Sequence, residues 1–207
     1  MPAEGVRVKV CGLTVPREAA ACAELGAWAV GVVFAPESTR RVDVATAAEV
    51  LAALPPQVRR VGVFVDATPE ELAAAAAGCG LTHVQIHGET DVAAARAATG
   101  LPVILGIPFD GAAAAARADA SEADLVLFDA SVPGRHGGTG TTLDWDALAA
   151  GRPRRDFGLA GGLSPSNVGD AVRRVQPSFV DVSSGVESAP GRKDPELVRR
   201  FMEAVRG

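Results

Sequence analysis

The chain has little cysteine, few aromatic residues and no long apolar run, and each shortage removes a class of protein. Only three cysteines occur, Cys11, Cys22 and Cys79. They form no C-x-x-C pair, which leaves neither a disulfide framework nor a zinc spacing. Free thiols imply a reducing compartment. Aromatic residues make up 4%, and no basic cluster is interleaved with them. With a formal charge of −5 as well, nucleic acid is set aside as a partner. No apolar run reaches the roughly 18 residues of a membrane span. The opening "MPAEGVRVKV" lacks an apolar signal core, so a cytoplasmic location is expected. No G-x-G-x-x-G follows the first β-like run, which removes the usual dinucleotide fingerprint.

What is present is one rhythm. Short β-branched runs alternate with Ala-rich, helix-like stretches. The runs are "VRVKVC" (6–11), "WAVGVVF" (28–34), "VRRVGVFV" (58–65), "THVQIH" (82–87), "PVILGI" (102–107), "DLVLFD" (124–129), "DFGLAG" (156–161) and "FVDVSS" (179–184). Helical stretches follow them at 16–25, 44–54, 69–78, 91–98, 111–119, 142–150, 165–175 and 195–205. The poly-Ala runs within these read as strong helix formers. Thr68-Pro69-Glu70-Glu71 is an N-cap signal, and Thr14, Ser164 and Asp194 before prolines predict the same device. Gly26, Gly78, Gly100 and Gly207 stand where left-handed C-caps are wanted.

Alternating strands and helices predict a parallel sheet covered by helices. The repeat count predicts closure into a small α/β (β/α)₈ TIM barrel, with 1–207 as a single catalytic domain.

Strand residues alternate between faces. In the first strand Val6, Val8 and Val10 share one face, and Arg7, Lys9 and Cys11 the other. Helix-facing positions must be apolar, so the polar sets are expected to point into the barrel. Those sets are Lys9/Cys11, Gln85/His87, Asp129 (above Leu125 and Leu127) and Asp181/Ser183. Barrel chemistry sits at the carboxyl ends of strands. Cys11, His87, Asp129, Asp181 and Ser183 all lie there. Any one of them has a plain structural explanation; several at one rim point to a site. Cys22 and Cys79 fall in helical stretches and read as structural.

Two late segments, "LAGGLSPSNV" (159–168) and "DVSSGVESAPGRKD" (181–194), follow the last two strands. Each joins glycine to small hydroxyl residues. Barrels often hold phosphate in these loops on backbone N–H groups. Gly161, Gly162, Ser183, Ser184 and Gly185 are the candidate phosphate contacts.

These segments, with "VKVCGLT" (8–14), "GVVFAPESTRRV" (31–42), "VGVF" (61–64), "VQIHGE" (84–89), "LFDA" (127–130) and "GGTGTTLDW" (137–145), resemble the phosphoribosylanthranilate isomerase family of tryptophan biosynthesis. They occur in family order over nearly the whole chain. The resemblance implies a (β/α)₈ barrel and an Amadori rearrangement of a sugar phosphate, with no cofactor and no metal. It implies Cys11 as general base and Asp129 as general acid. It places Arg40 and Asp181 on the substrate and the glycine-rich loops on its phosphate; His87, at the same rim, is a further candidate substrate contact. The expected partner is that small molecule, with the protein a monomer or homodimer. Two positions depart from the family pattern. Strand five has no lysine near Gly106, and Thr39 stands where proline is common.

The chemistry sets two demands. Cys11 must be partly thiolate, and Lys9 either favours that form or pairs with an interior carboxylate such as Asp181. Asp129 must hold a proton at neutral pH, which burial or a neighbouring carboxylate would favour. Two other readings stand beside this one. The histidine-pathway aminoaldose isomerases share the chemistry but end the first strand with aspartate, where this chain has Cys11. A non-catalytic phosphate-binding barrel would be expected to lack the acid or the base.

Overall fold

The β-branched runs form strands that each pair with the next in sequence, and the last pairs with the first. In the computed structural model, which describes residues 5–130 and 143–207, they are β1 (Arg7–Cys11), β2 (Ala29–Val33), β3 (Arg59–Val65), β4 (His83–His87), β5 (Val103–Pro108), β6 (Leu125–Asp129), β7 (Phe157–Leu159) and β8 (Phe179–Val182). All pairs are parallel, and β8 returns to β1, so the sheet is a closed eight-stranded barrel. The covering helices are α1 (Pro16–Glu24), α2 (Val44–Ala52), α3 (Pro69–Cys79), α4 (Val92–Thr99), α5 (Ala112–Ala120), α6 (Trp145–Ala150), α7 (Val168–Val175) and α8 (Pro195–Arg206). Among the described residues no helix is long and apolar enough to cross a membrane.

Strand parity divides the core as expected. Val8, Val10, Val84, Ile86, Val180 and Val182 join the cluster between strands and helices. A second cluster, including Cys11, Val61, Ile104, Leu127 and Phe179, fills the barrel. The polar side of β1 also finds its partners there. Arg7 and Arg59 approach the Trp28 ring at 4.6 and 4.5 Å, and Trp28 leans on Phe179. Above them Lys9 is fully buried, and Cys11 ends the strand.

Several local expectations need correction. Thr68 forms the capping box with Glu71, and Asp194 caps α8. Thr14 caps nothing: Val15 stands at that position, and the Thr14 hydroxyl donates to the Gly191 carbonyl. Ser164 is not a cap either. A turn intervenes, α7 starts at Val168, and the Asn167 side chain accepts from the Ser164 N–H. Gly78 lies within α3, and Gly80 supplies the left-handed residue. Beyond β8 stands a feature that the periodicity does not suggest. A 3₁₀ turn (Ser184–Val186) leads into a small antiparallel hairpin, β9 (Glu187–Ala189) and β10 (Arg192–Lys193).

Candidate active site

Cys11 lies where β1 ends, and a single pocket at this rim reaches Cys11, Asp129 and Asp181. Its surroundings follow from register. Lys9 sits opposite Asp181 across the β1–β8 seam, both side chains point inward, and Lys9 Nζ donates to Asp181 Oδ2 at 2.7 Å. That answers where the buried cation finds its partner. Burial alone would pull Lys9 down, but Asp181 and Cys11 outweigh it and hold the ammonium above its ordinary value. For Cys11 the balance runs the other way. Burial pushes the thiol up, and the pull of Lys9 and Lys193 does not cancel it. Lys9 therefore does both things weighed for it, although its pull on the thiol is the weaker effect.

Asp129 ends β6, half-buried, above buried Leu127. Burial raises the Asp181 carboxyl against the opposing pull of Lys9, and Asp129, whenever it is ionised, adds to that rise. Two buried acceptors in this pocket have no partner among the described residues, Asp181 Oδ1 and Gln85 Oε1. An unpaired buried acceptor is costly, and a ligand rich in hydroxyl or N–H donors would satisfy both.

His87 lies on the pocket wall, and the Gln85 amide donates to its Nε2 at 2.8 Å. Its ring fills the space over Gly106: a Cβ there would come within 2.2 Å of His87 Cε1. The missing strand-five side chain is thus the room that the histidine occupies.

Arg40 reaches the pocket from the loop after β2. Its Nε and Nη2 donate to Glu187 at 2.8 and 2.7 Å. Lys193 Nζ donates to the same carboxylate at 2.6 Å and to the Ser183 carbonyl at 3.1 Å. Burial alone would raise Glu187, but Arg40 and Lys193 outweigh it and hold the carboxylate below its usual range.

The two late loops meet at the same rim. Gly161, Gly162, Ser183 and Ser184 line the pocket. Gly161 and Gly162 have φ of 89° and 64°, the left-handed region that glycine enters without cost. Gly185 is not a lining residue. A Cβ there would be 1.9 Å from the Leu163 carbonyl oxygen, so its part is to let the loops touch. Residues 137–142 of the "GGTGTTLDW" stretch lie outside the described residues.

The two remaining cysteines behave as structural thiols. Burial pushes Cys22 up to about 12 and Cys79 up to about 11.

The sequence reading named the polar inward residues of β1, β4, β6 and β8 at this rim but missed Glu187 and Lys193, and it gave Gln85 no role. The first two stand in the quoted "DVSSGVESAPGRKD". Their signal was present as opposite charges six residues apart just past the last strand, but no periodic rule brings a hairpin over a barrel mouth.

A closed (β/α)₈ barrel with a thiol, two carboxylates and two glycine–serine loops at its carboxyl rim defines a barrel enzyme. The family model for N-(5′-phosphoribosyl)anthranilate (PRA) isomerase matches residues 8–204. The chain belongs to this family. An isomerase of that name from Rubrobacter xylanophilus is 43% identical, over 97% of this chain and 98% of its own. The Thermotoga maritima isomerase superposes with a TM-score of 0.89 at 39% identity, covering 98% of this chain and 99% of its own; it is also described as dimeric. A solved phosphoribosyl anthranilate isomerase structure in complex with reduced 1-(o-carboxyphenylamino)-1-deoxyribulose 5-phosphate superposes with a TM-score of 0.85 at 37% identity, covering 98% of this chain and 99% of its own.

Proposed function

We propose that this chain, as one catalytic barrel, converts N-(5-phosphoribosyl)anthranilate into 1-(2-carboxyphenylamino)-1-deoxyribulose 5-phosphate. The reaction is an intramolecular oxidoreduction of an aminoaldose to an aminoketose. The observation that carries this reading is the pairing of Cys11 and Asp129 in one pocket with the two glycine–serine loops.

Asp129 gives its proton to the ring oxygen, and the bond from that oxygen to C1 breaks. C1 and the anilino nitrogen then form a protonated imine. That cation acidifies the proton on C2, and the Cys11 thiolate removes it. The C2–H electron pair becomes the C1–C2 double bond of an enolamine, and the imine electrons return to nitrogen. The enolamine then loses its hydroxyl proton and gains one at C1. C2 ends as a ketone and C1 as a methylene, so one carbon is oxidised and the other reduced. The substrate's own nitrogen is the electron sink. Asp181 Oδ1 and Gln85 Oε1 accept from sugar hydroxyls, and Arg40 and His87 face the anthranilate side. Gly161, Gly162, Ser183 and Ser184 hold the phosphate, with Gly185 keeping their loops together.

The test is the loss of fluorescence of freshly made phosphoribosylanthranilate, read against its spontaneous decay. Loss proportional to enzyme is expected. Decay at the blank rate overturns the reading, and turnover of the histidine-pathway aminoaldose in its place would assign that chemistry.

A further inference from the structure

Glu187 bonds to neither the proposed acid nor the proposed base, yet among the described residues it is the most heavily bonded carboxylate at the rim. It is 5% exposed. It accepts two bonds from Arg40 and one from Lys193. A buried carboxylate is stable only when donors surround it in this way.

The partners come from distant chain segments. Arg40 stands in the loop after β2, 147 residues before Glu187. Its stem crosses directly over Gly12, the residue after the proposed base: a Cβ there would meet Arg40 Cδ at 2.5 Å. The guanidinium spends Nε and Nη2 donors on Glu187. An arginine carries five N–H donors in a planar fork, so the Nη1 pair is left for a ligand. A long flexible side chain fixed at stem and head loses little more freedom on binding.

The carboxylate is anchored in turn. Lys193, 1% exposed, bridges it to Ser183 of the phosphate side. Glu18 on α1 accepts from Arg192 Nε and from the Lys193 backbone N–H, each at 2.8 Å, which pins the hairpin to the barrel frame. One carboxylate thus joins the anthranilate-side arginine to the phosphate-side serine.

We propose that Glu187 is a positioning residue: it holds Arg40 in its binding orientation over Gly12, next to Cys11, and, through Lys193, ties it to the Ser183 loop. This rests on the function proposed above only for Arg40's ligand; the tie itself does not. The expected signature of Glu187→Gln is a KM raised about tenfold with kcat changed far less, because the acid and base are untouched. In an Arg40→Ala background the same substitution should add almost nothing. Phenylglyoxal labelling of Arg40, followed by peptide mass, reads the tie without turnover, and it should speed up in Glu187→Gln. Glu187→Asp keeps the charge and shortens the reach; it should fall between parent and Glu187→Gln, and it carries the same cycle where Glu187→Gln does not fold. Unchanged KM and labelling, or losses that multiply in the double variant, overturn the proposal. A parent that turns over no phosphoribosylanthranilate, with labelling still sensitive to Glu187, rejects the function and leaves the tie standing.

Discussion

Cys11 is pulled in two directions, and the outcome sets the pH at which it can act as base. Burial raises the thiol, and Lys9 is the largest opposing influence. The sign follows. A raised thiol is mostly protonated at neutral pH, so kcat/KM should climb with pH through a limb above the ordinary thiol value of about 8.5. Lys9→Met removes an influence that lowers the thiol, so its limb should move higher and the rate at neutral pH should fall. Thiolate absorbance and the alkylation rate of Cys11 check both. A limb below the ordinary value, or an unmoved thiol in Lys9→Met, would sink the electrostatic argument. The proposed roles carry a blunter expectation. Cys11→Ala and Asp129→Asn should keep the fold and lose turnover by about a hundredfold or more. Near-normal turnover in either would remove that residue from the mechanism.

Among the elements, the contact between the two late loops is the least tolerant of change. Gly185 meets the Leu163 carbonyl so closely that a Cβ would lie 1.9 Å from its oxygen, and backbone cannot swing aside as a long side chain can. Gly185→Ala should force the loops apart, lower stability by about 1–3 kcal/mol and weaken inhibition by inorganic phosphate. Unaltered phosphate inhibition would show that the loop contact does not shape the anion site. Thr68→Ala is the contrast. It breaks the capping box of α3, so it should lower stability by ~1 kcal/mol and leave KM alone. What was legible at this scale follows the same line. Strands and helices were readable because a two-sided strand and an Ala-rich helix each leave a period in the sequence. The α7 start was misplaced because Ser164 and Pro165 give a cap signal that the Asn167 turn overrides. The hairpin from Glu187 to Lys193 was invisible because its strands are too short to show alternation.

At the scale of the molecule, closure of the barrel and chemistry of the site share one seam. The first and last strands pair with Lys9 opposite Asp181, so the join is stitched by an ion pair in the barrel interior. Parity alone sent both side chains inward. It could not choose the partner of Lys9, because that choice depends on the shear of the closed sheet. Breaking such a pair leaves a charge buried without a partner, which costs about 3–5 kcal/mol. Lys9→Met should therefore unfold at markedly lower urea, with Asp181 stranded. Replacing both partners by apolar residues of similar volume is often neutral or stabilising, so Lys9→Met/Asp181→Leu should regain most of that loss. Activity should not return with it, because Asp181 lines the pocket and the Lys9 charge acts on the Cys11 thiol. Urea melts and turnover on the same three proteins separate the two roles. A double variant no more stable than Lys9→Met would deny the seam its part in closure; one that regained turnover along with stability would leave the pair a structural role alone.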